Sequence, residues 1–198
     1  MIKGRFIIII LLLSSCSNIP IGYFDTFQTL YKSIRNYPDS NVTREFYDDF
    51  EYSFLQAQFR GSAPVILVLS RVEQDKYHWV SNDLSKIVTN NEGRIVKSEG
   101  LDRNFEFIEA SNNDRILNLF NPDAFYQPFN SHFSEDKLTN IEYLNNEIEV
   151  TLREEKFSSE IIGWSDENEY YYFEGRPIRT NQNIHPYLPK LKITFYYK

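Results

Sequence analysis

The sequence predicts an all-β protein: a large antiparallel meander sheet, folded as an open barrel or a sandwich, with one short N-terminal helix. From Tyr52 onwards, short runs of β-forming residues alternate with turn clusters about every ten residues. No helix-length segment separates consecutive runs, so parallel βαβ units are not expected. The aromatic content is high, with 16 Phe, 14 Tyr and 2 Trp, which favours aromatic side chains on sheet faces.

The first fifteen residues have the layout of a secretion signal. Lys3 and Arg5 give a basic start, and Phe6 to Leu13 is an unbroken run of eight apolar residues. As a helix, this run covers roughly 12 Å, which is too short to cross a hydrocarbon core of about 30 Å. Small residues then lead to a cysteine in Leu13-Ser14-Ser15-Cys16. Residues 1–15 are therefore predicted to be a signal peptide.

This tetrad resembles the lipobox of bacterial lipoproteins. The small Ser14 and Ser15 let a peptidase reach the backbone, and the thiol of Cys16 is a nucleophile that can accept a lipid such as palmitate. We predict lipidation at Cys16 and a lipidated tether over 16–22; the alternatives are a coincidental cysteine or a buried N-terminal strand. Ser17 follows Cys16. Enterobacterial lipoproteins retained at the inner membrane tend to have Asp there, so the resemblance implies the outer membrane, facing the periplasm.

Length and charge restrict the remaining possibilities. The chain has 198 residues, which suits one domain over 23–198. Its net charge is −7, and removal of the basic signal segment makes it more acidic, so a nucleic-acid partner is disfavoured. Such a domain would not adsorb to anionic lipid by itself, so membrane contact is expected through Cys16. A single cysteine excludes an intrachain disulfide and a thiolate metal site.

The predicted helix runs from about Tyr23 to Arg35. Apolar residues recur there at spacings of three and four, as on one face of a helix: Phe24, Phe27, Tyr31 and Ile34. Few basic residues flank this stripe, so it is expected to dock on the domain and not on lipid. Pro38, within Asn36–Asn41, ends the helix.

The strands are predicted from local pattern. Val65–Leu69 is apolar on both faces, as in a central strand, while Asn146–Arg153 alternates apolar and polar residues. Asn90-Asn91-Glu92-Gly93 indicates a hairpin turn. The least clear stretch is 111–127, in which Arg115–Phe120 is interpreted as a helical turn. The predicted strands are Tyr52–Phe59, Pro64–Val72, Lys76–Val80, Lys86–Thr89, Arg94–Lys97, Phe105–Glu109, Asn146–Arg153, Ser159–Trp164, Glu169–Phe173, Arg176–Asn181 and Leu191–Tyr197.

Two blocks of the chain carry a family resemblance. The first holds Pro64–Val72, Trp79–Asp83, Ile87–Thr89, Gly93–Val96 and Gly100-Leu101; the second holds Tyr170–Phe173, Gly175-Arg176, Ile178-Arg179, Gln182 and Pro189–Lys198. Together they resemble the YjbF/GfcB family of lipoproteins, which are encoded with exopolysaccharide and group 4 capsule genes. The segment Asn104–Asn140 does not align, and the turn ending at Gly93 is one residue longer than the usual form.

The resemblance implies a lipoprotein with a large antiparallel meander that acts in the secretion or assembly of surface polysaccharide. Its expected partners are other products of such an operon, including an outer-membrane porin-like component. The resemblance carries over no catalytic residue, cofactor or metal ligand. Several recurring residues suit structural roles: Gly93 and Gly100 in turns with positive φ, Trp79 in the core, and Ser81 and Asp83 bonded to turn amides.

Four residues are candidates for contact with a partner or a glycan. Arg94 and Arg176 each follow a glycine at the start of a strand, where a solvated strand end or a local ion pair is the alternative. Tyr171 and Tyr196 lie in the aromatic runs Tyr170–Phe173 and Phe195–Tyr197. Alternate strand residues face opposite sides, so at least half of each run belongs to the core. The remainder suits a partner surface, or sugar stacking.

Enzymatic chemistry finds little support in the sequence. The histidines, His78, His132 and His185, lie in separate blocks, and no motif for a zinc site, a serine nucleophile or a nucleotide is present. The 28 acidic residues could include a glycosidase pair, but such a pair is defined by a spatial separation of about 5 to 9 Å. We therefore predict a non-enzymatic lipoprotein of polysaccharide secretion. The alternatives are a carbohydrate-binding module that retains nascent polymer and, less favoured, a polysaccharide hydrolase.

Overall fold

The computed structural model describes residues 42–101, 104–109, 115–120, 126–160 and 163–198. These residues form one short helix and thirteen strands, and they belong to a single compact unit. In chain order the elements are α1 (Arg44–Asp49), β1 (Phe54–Phe59), β2 (Val65–Glu73), β3 (Lys76–Val80), β4 (Lys86–Asn90), β5 (Ile95–Glu99), β6 (Asn104–Glu109), β7 (Arg115–Phe120), β8 (Tyr126–Phe133), β9 (Lys137–Tyr143), β10 (Asn146–Ser159), β11 (Trp164–Phe173), β12 (Arg176–Gln182) and β13 (Leu191–Tyr196).

All thirteen strands belong to one sheet, in the order β11-β12-β13-β1-β2-β3-β4-β5-β6-β7-β8-β10-β9. Every pairing in it is antiparallel, which confirms the predicted all-β meander. The sheet curls in the manner of a half-barrel and is not a sandwich. Strand β11 pairs with β10 as well as with β12, so hydrogen bonding joins the first strand of the order to the strand next to its other end. Strand β13 pairs with β1, which brings the C-terminus beside the first strand.

The core lies against one face of this sheet and is apolar and aromatic. Trp79 is completely buried, as predicted, and its indole Nε1 donates to Thr89 Oγ1 at 2.9 Å. Alternate residues of β13 also enter the core, which contains Leu55, Ala57, Leu67, Trp79, Ile87, Ile95, Phe105, Ile184, Leu191, Ile193 and Phe195. Burial of each such side chain stabilises the fold by about 1.5–3 kcal/mol.

A second aromatic cluster covers the opposite side of β1 and β13. Helix α1 begins after Thr43, whose Oγ1 accepts from the Phe46 amide. The Phe46 and Phe50 rings pack against Phe54, with centroids 5.6 and 4.8 Å away. Helix α1 was not predicted, although an N-capping Thr followed by aromatic residues four apart is a recognisable signal. The predicted helix over 23–35 lies outside the described residues.

Two local predictions were wrong. Arg115–Phe120 is not a helical turn but strand β7, and all six of its residues pair with β6. A single helical turn forms one hydrogen bond for three fixed residues, whereas a neighbouring strand satisfies the whole segment. Ser159–Trp164 is not a strand: β10 ends at Ser159, β11 begins at Trp164, and Gly163 between them has a φ of +61°.

Strands β8 and β9 were not predicted at all. Both pair along the same edge of β10, one after the other, and this explains why β10 continues six residues beyond its predicted end at Arg153. Their sequences are rich in polar residues, and β8 contains Pro128, which weakens any strand signal. Their strand structure comes from pairing with neighbouring strands, β10 for both and also β7 for β8, and not from local propensity. No helix among the described residues has the length and apolar character needed to cross a membrane.

Candidate functional site

The predicted attachment site lies outside the described residues. This holds for Cys16, for the motif residues Leu13, Ser14 and Ser15, and for the tether over 16–22. Lipidation therefore stays a prediction from sequence, and the structure is informative about the domain that follows.

The most unusual feature of the domain is a buried ion pair. Arg94 Nη2 contacts Glu155 Oε1, and the two side chains are 6% and 0% exposed. The other carboxylate oxygen of Glu155 accepts from Asn168 Nδ2 at 3.1 Å and from the Tyr170 hydroxyl at 3.0 Å. Arg94 precedes β5, Glu155 lies on β10, and the other two residues lie on β11. The pair therefore connects parts of the sheet that are distant in sequence.

Both members of the pair are ionised. Burial alone raises the pKa of Glu155, but the charge of Arg94 and hydrogen bonds from Arg94, Asn168 and Ser131 outweigh it, so that pKa lies below its ordinary value. Burial lowers the pKa of Arg94, but Tyr170 and Glu155 raise it by more. The Phe133 and Tyr170 rings each lie 5.6 Å from the guanidinium carbon, which adds cation–π attraction.

A glutamine fixes the turn beside this ion pair. Gln182 Oε1 accepts from the Ile95 amide at 3.0 Å, and its Nε2 donates to the Gly93 carbonyl and to Thr180 Oγ1, both at 2.8 Å. Gly93 has a φ of +81°, and a Cβ built there would lie 2.7 Å from Pro177 Cβ. The turn between β4 and β5 is thus packed against β12. Three residues of the family-like blocks, Gly93, Arg94 and Gln182, meet at this point.

The structural roles predicted for Gly100 and Asp83 agree with the structure, whereas the Ser81 hydroxyl donates to Asp83 and to the Ser85 carbonyl and does not bond to a turn amide. Gly100 has a φ of +80°. Asp83 Oδ1 accepts from the Ser85 amide at 3.0 Å and from the Ser81 hydroxyl. These bonds hold the pKa of Asp83 below its ordinary value, with the bond from Ser81 as the largest cause.

The four candidate contact residues have different environments. Arg94 points inward to Glu155 and does not offer its charge at the surface of the domain. Tyr196 is 5% exposed and is stacked between Phe54 and Tyr143, with centroids 4.7 and 5.6 Å away. Tyr171 is half-buried, and its hydroxyl donates to Glu169 Oε2 at 2.9 Å. Arg176 is exposed at the start of β12. Tyr171 and Arg176 are thus the two candidates that solvent reaches.

The histidines do not converge. His78 Nε2 lies 3.7 Å from Glu73 Oε2, and burial together with Arg71 lowers its pKa. His185 is buried, with Nδ1 accepting from the Tyr187 amide, while His132 is exposed on β8. In the part of the chain that the structure describes, no group of three or more His, Cys, Asp or Glu side chains is placed to hold a metal ion.

Comparison with known proteins identifies the family. The sequence model described as "Group 4 capsule polysaccharide lipoprotein gfcB, YjbF" matches residues 27–196, which include the first family-like block, all but the last two residues of the second, and the ion pair. The chain belongs to the YjbF family. The resemblance predicted from the two blocks is thereby confirmed.

Two known proteins are similar to this chain. It is 27% identical over 108 residues to a protein named "Uncharacterized lipoprotein GfcB" from Escherichia coli K12. The match covers 54% of this chain and spans about half, 49%, of that relative. The crystal structure of the hypothetical lipoprotein YmcC from Escherichia coli K12 has a TM-score of 0.74, covering 92% of this chain and 98% of that one. Its identity is 16%, so this likeness concerns the fold.

Among the residues that the structure describes, two hollows in the surface are candidate sites. One, of about 250 Å³, is lined by residues of both signs, and its charges are compensated: Lys97 lies 3.3 Å from Glu99 and 3.7 Å from Glu106. The other, of about 280 Å³, lies where β1 ends and β13 begins, and we call it the rim hollow. It is lined by Gln58, Phe59, Arg60, Gly61, Asn181, Lys190 and Lys192. The rim hollow was not predicted, because its residues come from three separate segments of the chain with no common motif.

Proposed function

We propose that this YjbF-family protein is a non-enzymatic accessory protein of exopolysaccharide or capsule secretion or assembly. It is anchored by lipid at Cys16 to the outer membrane and faces the periplasm. The observation that carries the proposal is the family match over residues 27–196, since the family description names a capsule polysaccharide lipoprotein. The lipobox-like tetrad ending in Cys16 supports the anchor independently.

The non-enzymatic role is supported by how the acidic groups are used. A glycosidase general acid has a raised pKa. The carboxyl groups with shifted pKa values in the described residues all shift downward: Asp83, Glu99, Asp136 and Glu155. Glu155, the most buried of them, is held by Arg94, Asn168 and Tyr170. A polysaccharide hydrolase therefore remains the least favoured alternative.

The lipid anchor is tested by a serine at the attachment site. Cys16→Ser removes the thiol while keeping nearly the same size, and we expect it to abolish incorporation of labelled palmitate and partition into detergent. Each buried methylene contributes about 0.8 kcal/mol, and stable anchoring needs more than one chain. Ser17→Ala is the matched control and should remain lipidated. Mass spectrometry that shows an unmodified Cys16 in the wild-type protein at the membrane would contradict the proposal.

The choice of membrane is tested separately at the next residue. In an enterobacterial host, Ser17→Asp is expected to move the protein from outer-membrane to inner-membrane fractions, with Ser17→Ala unchanged. Sucrose-gradient fractionation with immunoblotting measures this. Wild-type protein that sediments with the inner membrane would refute the outer-membrane assignment but leave the anchor intact.

The role in secretion is tested by deleting the gene. We expect the deletion strain to retain less surface polymer, and plasmid-borne wild type, but not Cys16→Ser, to restore it. Quantification of surface uronic acid and total hexose gives the readout. Unchanged polymer in a strain that depends on the surrounding operon would reject the role.

A further inference from the structure

The rim hollow is positively charged, although the chain as a whole is negatively charged. The chain has a net charge of −7, yet three of the seven residues that line the hollow are cations and none is acidic. Elsewhere on the sheet, basic residues such as Lys86, Lys137 and Arg153 have carboxylate partners. Within the described ranges, Arg60, Lys190 and Lys192 form no such ion pair. A concave site with unpaired cations favours a negatively charged ligand.

The strand register holds these cations in place. Lys192 lies directly opposite Gln58 on β1 and opposite Asn181 on β12. The Arg60 amide donates to the Lys190 carbonyl at 3.1 Å, which joins the other two basic residues by their backbone. Burial, followed by the charge of Arg179 on β12, lowers the pKa of Lys192. A bound anion would relieve this mutual repulsion of cations.

Two side-chain amides that line the rim hollow can supply hydrogen-bond acceptors for the hydroxyl groups of a ligand. Gln58 Nε2 donates to the Ser62 carbonyl at 2.8 Å, and Asn181 Nδ2 donates to Glu169 Oε2 at 2.5 Å. Among the described residues, no hydrogen bond occupies the side-chain oxygen of either amide. These oxygens are acceptors, whereas the cations are donors. The hollow therefore suits a ligand that carries hydroxyl groups as well as a negative charge, and a bare anion would leave the acceptors unused.

The size and shape of the hollow restrict the ligand further. Its volume of about 280 Å³ lies below the usual range of small-molecule pockets, about 300–1,000 Å³. It lies at the surface beside an exposed turn, Arg60 to Ala63, so a chain can continue on either side. Phe59 also lines the hollow, but its half-buried side chain packs against the core, so the polar and charged residues dominate the recognition surface. One unit of a polymer fits these conditions better than a compact metabolite.

We propose that the rim hollow binds a carboxylate-bearing sugar unit within an acidic polysaccharide. Arg60, Lys190 and Lys192 donate to the carboxylate, and the Gln58 and Asn181 oxygens accept from ring hydroxyls. The identity of the polymer as ligand rests on the proposed role in polysaccharide secretion. The rim hollow thereby gives the carbohydrate-binding alternative a specific site. The cations of the hollow would bind the polymer, and the lipid at Cys16 would anchor the protein to the membrane.

The experiment measures binding of oligogalacturonate to the full-length protein in neutral detergent by isothermal titration calorimetry. The methyl ester of oligogalacturonate, which has the same sugar rings without the charge, is the comparison ligand. We expect saturable binding of the acid, at least tenfold weaker binding of the ester, and weakening with added salt. Lys192→Gln and Arg60→Gln should each weaken binding of the acid about tenfold, as loss of one charge-assisted hydrogen bond predicts.

Lys156→Gln is the matched control, because it removes the same charge from an exposed strand position on β10 and should leave affinity unchanged. Absence of saturable binding, or equal weakening by Lys156→Gln, overturns the proposal. Inorganic phosphate that binds as tightly as the acid also overturns it, since sugar recognition is then missing. A deletion strain with normal polymer would reject the secretion role while oligogalacturonate binding at the hollow persists. If deletion of the gene lowers surface polymer as expected but Lys192→Gln leaves oligogalacturonate affinity unchanged, the secretion role stands and only the rim hollow is rejected as the binding site.

Discussion

The carboxylate of Glu155 shows how one residue can fix the register of a large sheet. It is fully buried and accepts hydrogen bonds from β11 while it pairs with Arg94 beside β5. A different register of β10 would leave this charge without partners, at a cost of several kcal/mol. The pair thus selects one arrangement of strands, even where an apolar pair of equal volume would be as stable.

The ion pair makes a prediction about stability. Glu155→Leu strands the buried Arg94 charge, so we expect the free energy of unfolding to fall by about 3–5 kcal/mol in urea denaturation. Adding Arg94→Met should recover most of this loss. Asp136→Asn breaks the partly exposed pair with Arg153 and should cost less than about 1 kcal/mol. If the double variant Glu155→Leu/Arg94→Met is no more stable than Glu155→Leu alone, the loss of stability is not caused by the unpaired Arg94 charge.

The raised pKa values of two half-buried tyrosines lead us to expect that the free energy of unfolding depends on pH in the alkaline range. Burial raises the pKa of Tyr171 and of Tyr172 to about 12, with the Glu169 bond and the Glu92 charge adding to it. The unfolded value is about 10, so between pH 10 and 12 the folded state binds more protons than the unfolded state. The free energy of unfolding should therefore fall with rising pH, by up to about 1.4 kcal/mol per pH unit for each tyrosine.

Urea unfolding at a series of pH values measures this slope. Tyr171→Phe and Tyr172→Phe should each remove one tyrosine's share of it, and the double variant should remove both. A double variant with the wild-type slope over this range would show that other groups are responsible.

At the scale of elements, the β4–β5 hairpin depends on its glycine. Gly93 combines a positive φ with a close approach to Pro177 on β12, whereas Gly175 has a φ of +77° and no neighbour within 4 Å of a built Cβ. Gly175→Ala should therefore cost about 1 kcal/mol from backbone strain alone. We expect Gly93→Ala to cost clearly more, as measured by urea denaturation, because Pro177 must also move. Equal losses would mean that the turn is not packed against β12 as the structure has it.

Some elements could be predicted from sequence and others could not, for physical reasons. Strands β2, β3 and β13 carry their own pattern, since β-branched and aromatic residues face a core. Strands β8 and β9 do not, because they are stabilised by hydrogen bonds to β10 and bury few apolar residues of their own along the described part. Helix α1 is short, and its aromatic side chains were counted toward sheet faces. Local pattern predicts elements only where the local residues form the core.

The candidate sites divide in the same way. The hairpin glycine and the core Trp79 follow from turn and burial rules, which act over a few residues. The partner of Arg94 lies 61 positions later in sequence, at Glu155, and the rim hollow combines β1, β12 and β13. Such contacts depend on strand order, and no spacing rule in a single sequence specifies strand order. For this reason the local ion pair was only one of several interpretations of Arg94.

At the scale of the whole molecule, β13 joins the two ends of the described chain. It pairs with β1 on one side and β12 on the other, and Leu191, Ile193 and Phe195 enter the core. The Lys198 amide also donates to Ser53 Oγ at 2.9 Å. Pairings between residues so distant in sequence form late, because loop closure must precede them. The C-terminal strand is therefore expected to decide whether the sheet reaches its curled form.

Removal of this strand is the test at that scale. A chain truncated after Lys190 leaves β1 and β12 each without one of their two neighbouring strands and exposes the core, so we expect no cooperative unfolding transition by circular dichroism in urea. Ile193→Ala is milder: its side chain is fully buried, and its truncation should cost about 2–5 kcal/mol while the transition remains cooperative. Lys192→Ala, on the exposed side of the same strand, should change stability by less than about 0.5 kcal/mol. If the truncated chain still unfolds cooperatively, β1 and β12 can form a stable sheet without β13, and closure through the C-terminus is not what stabilises this fold.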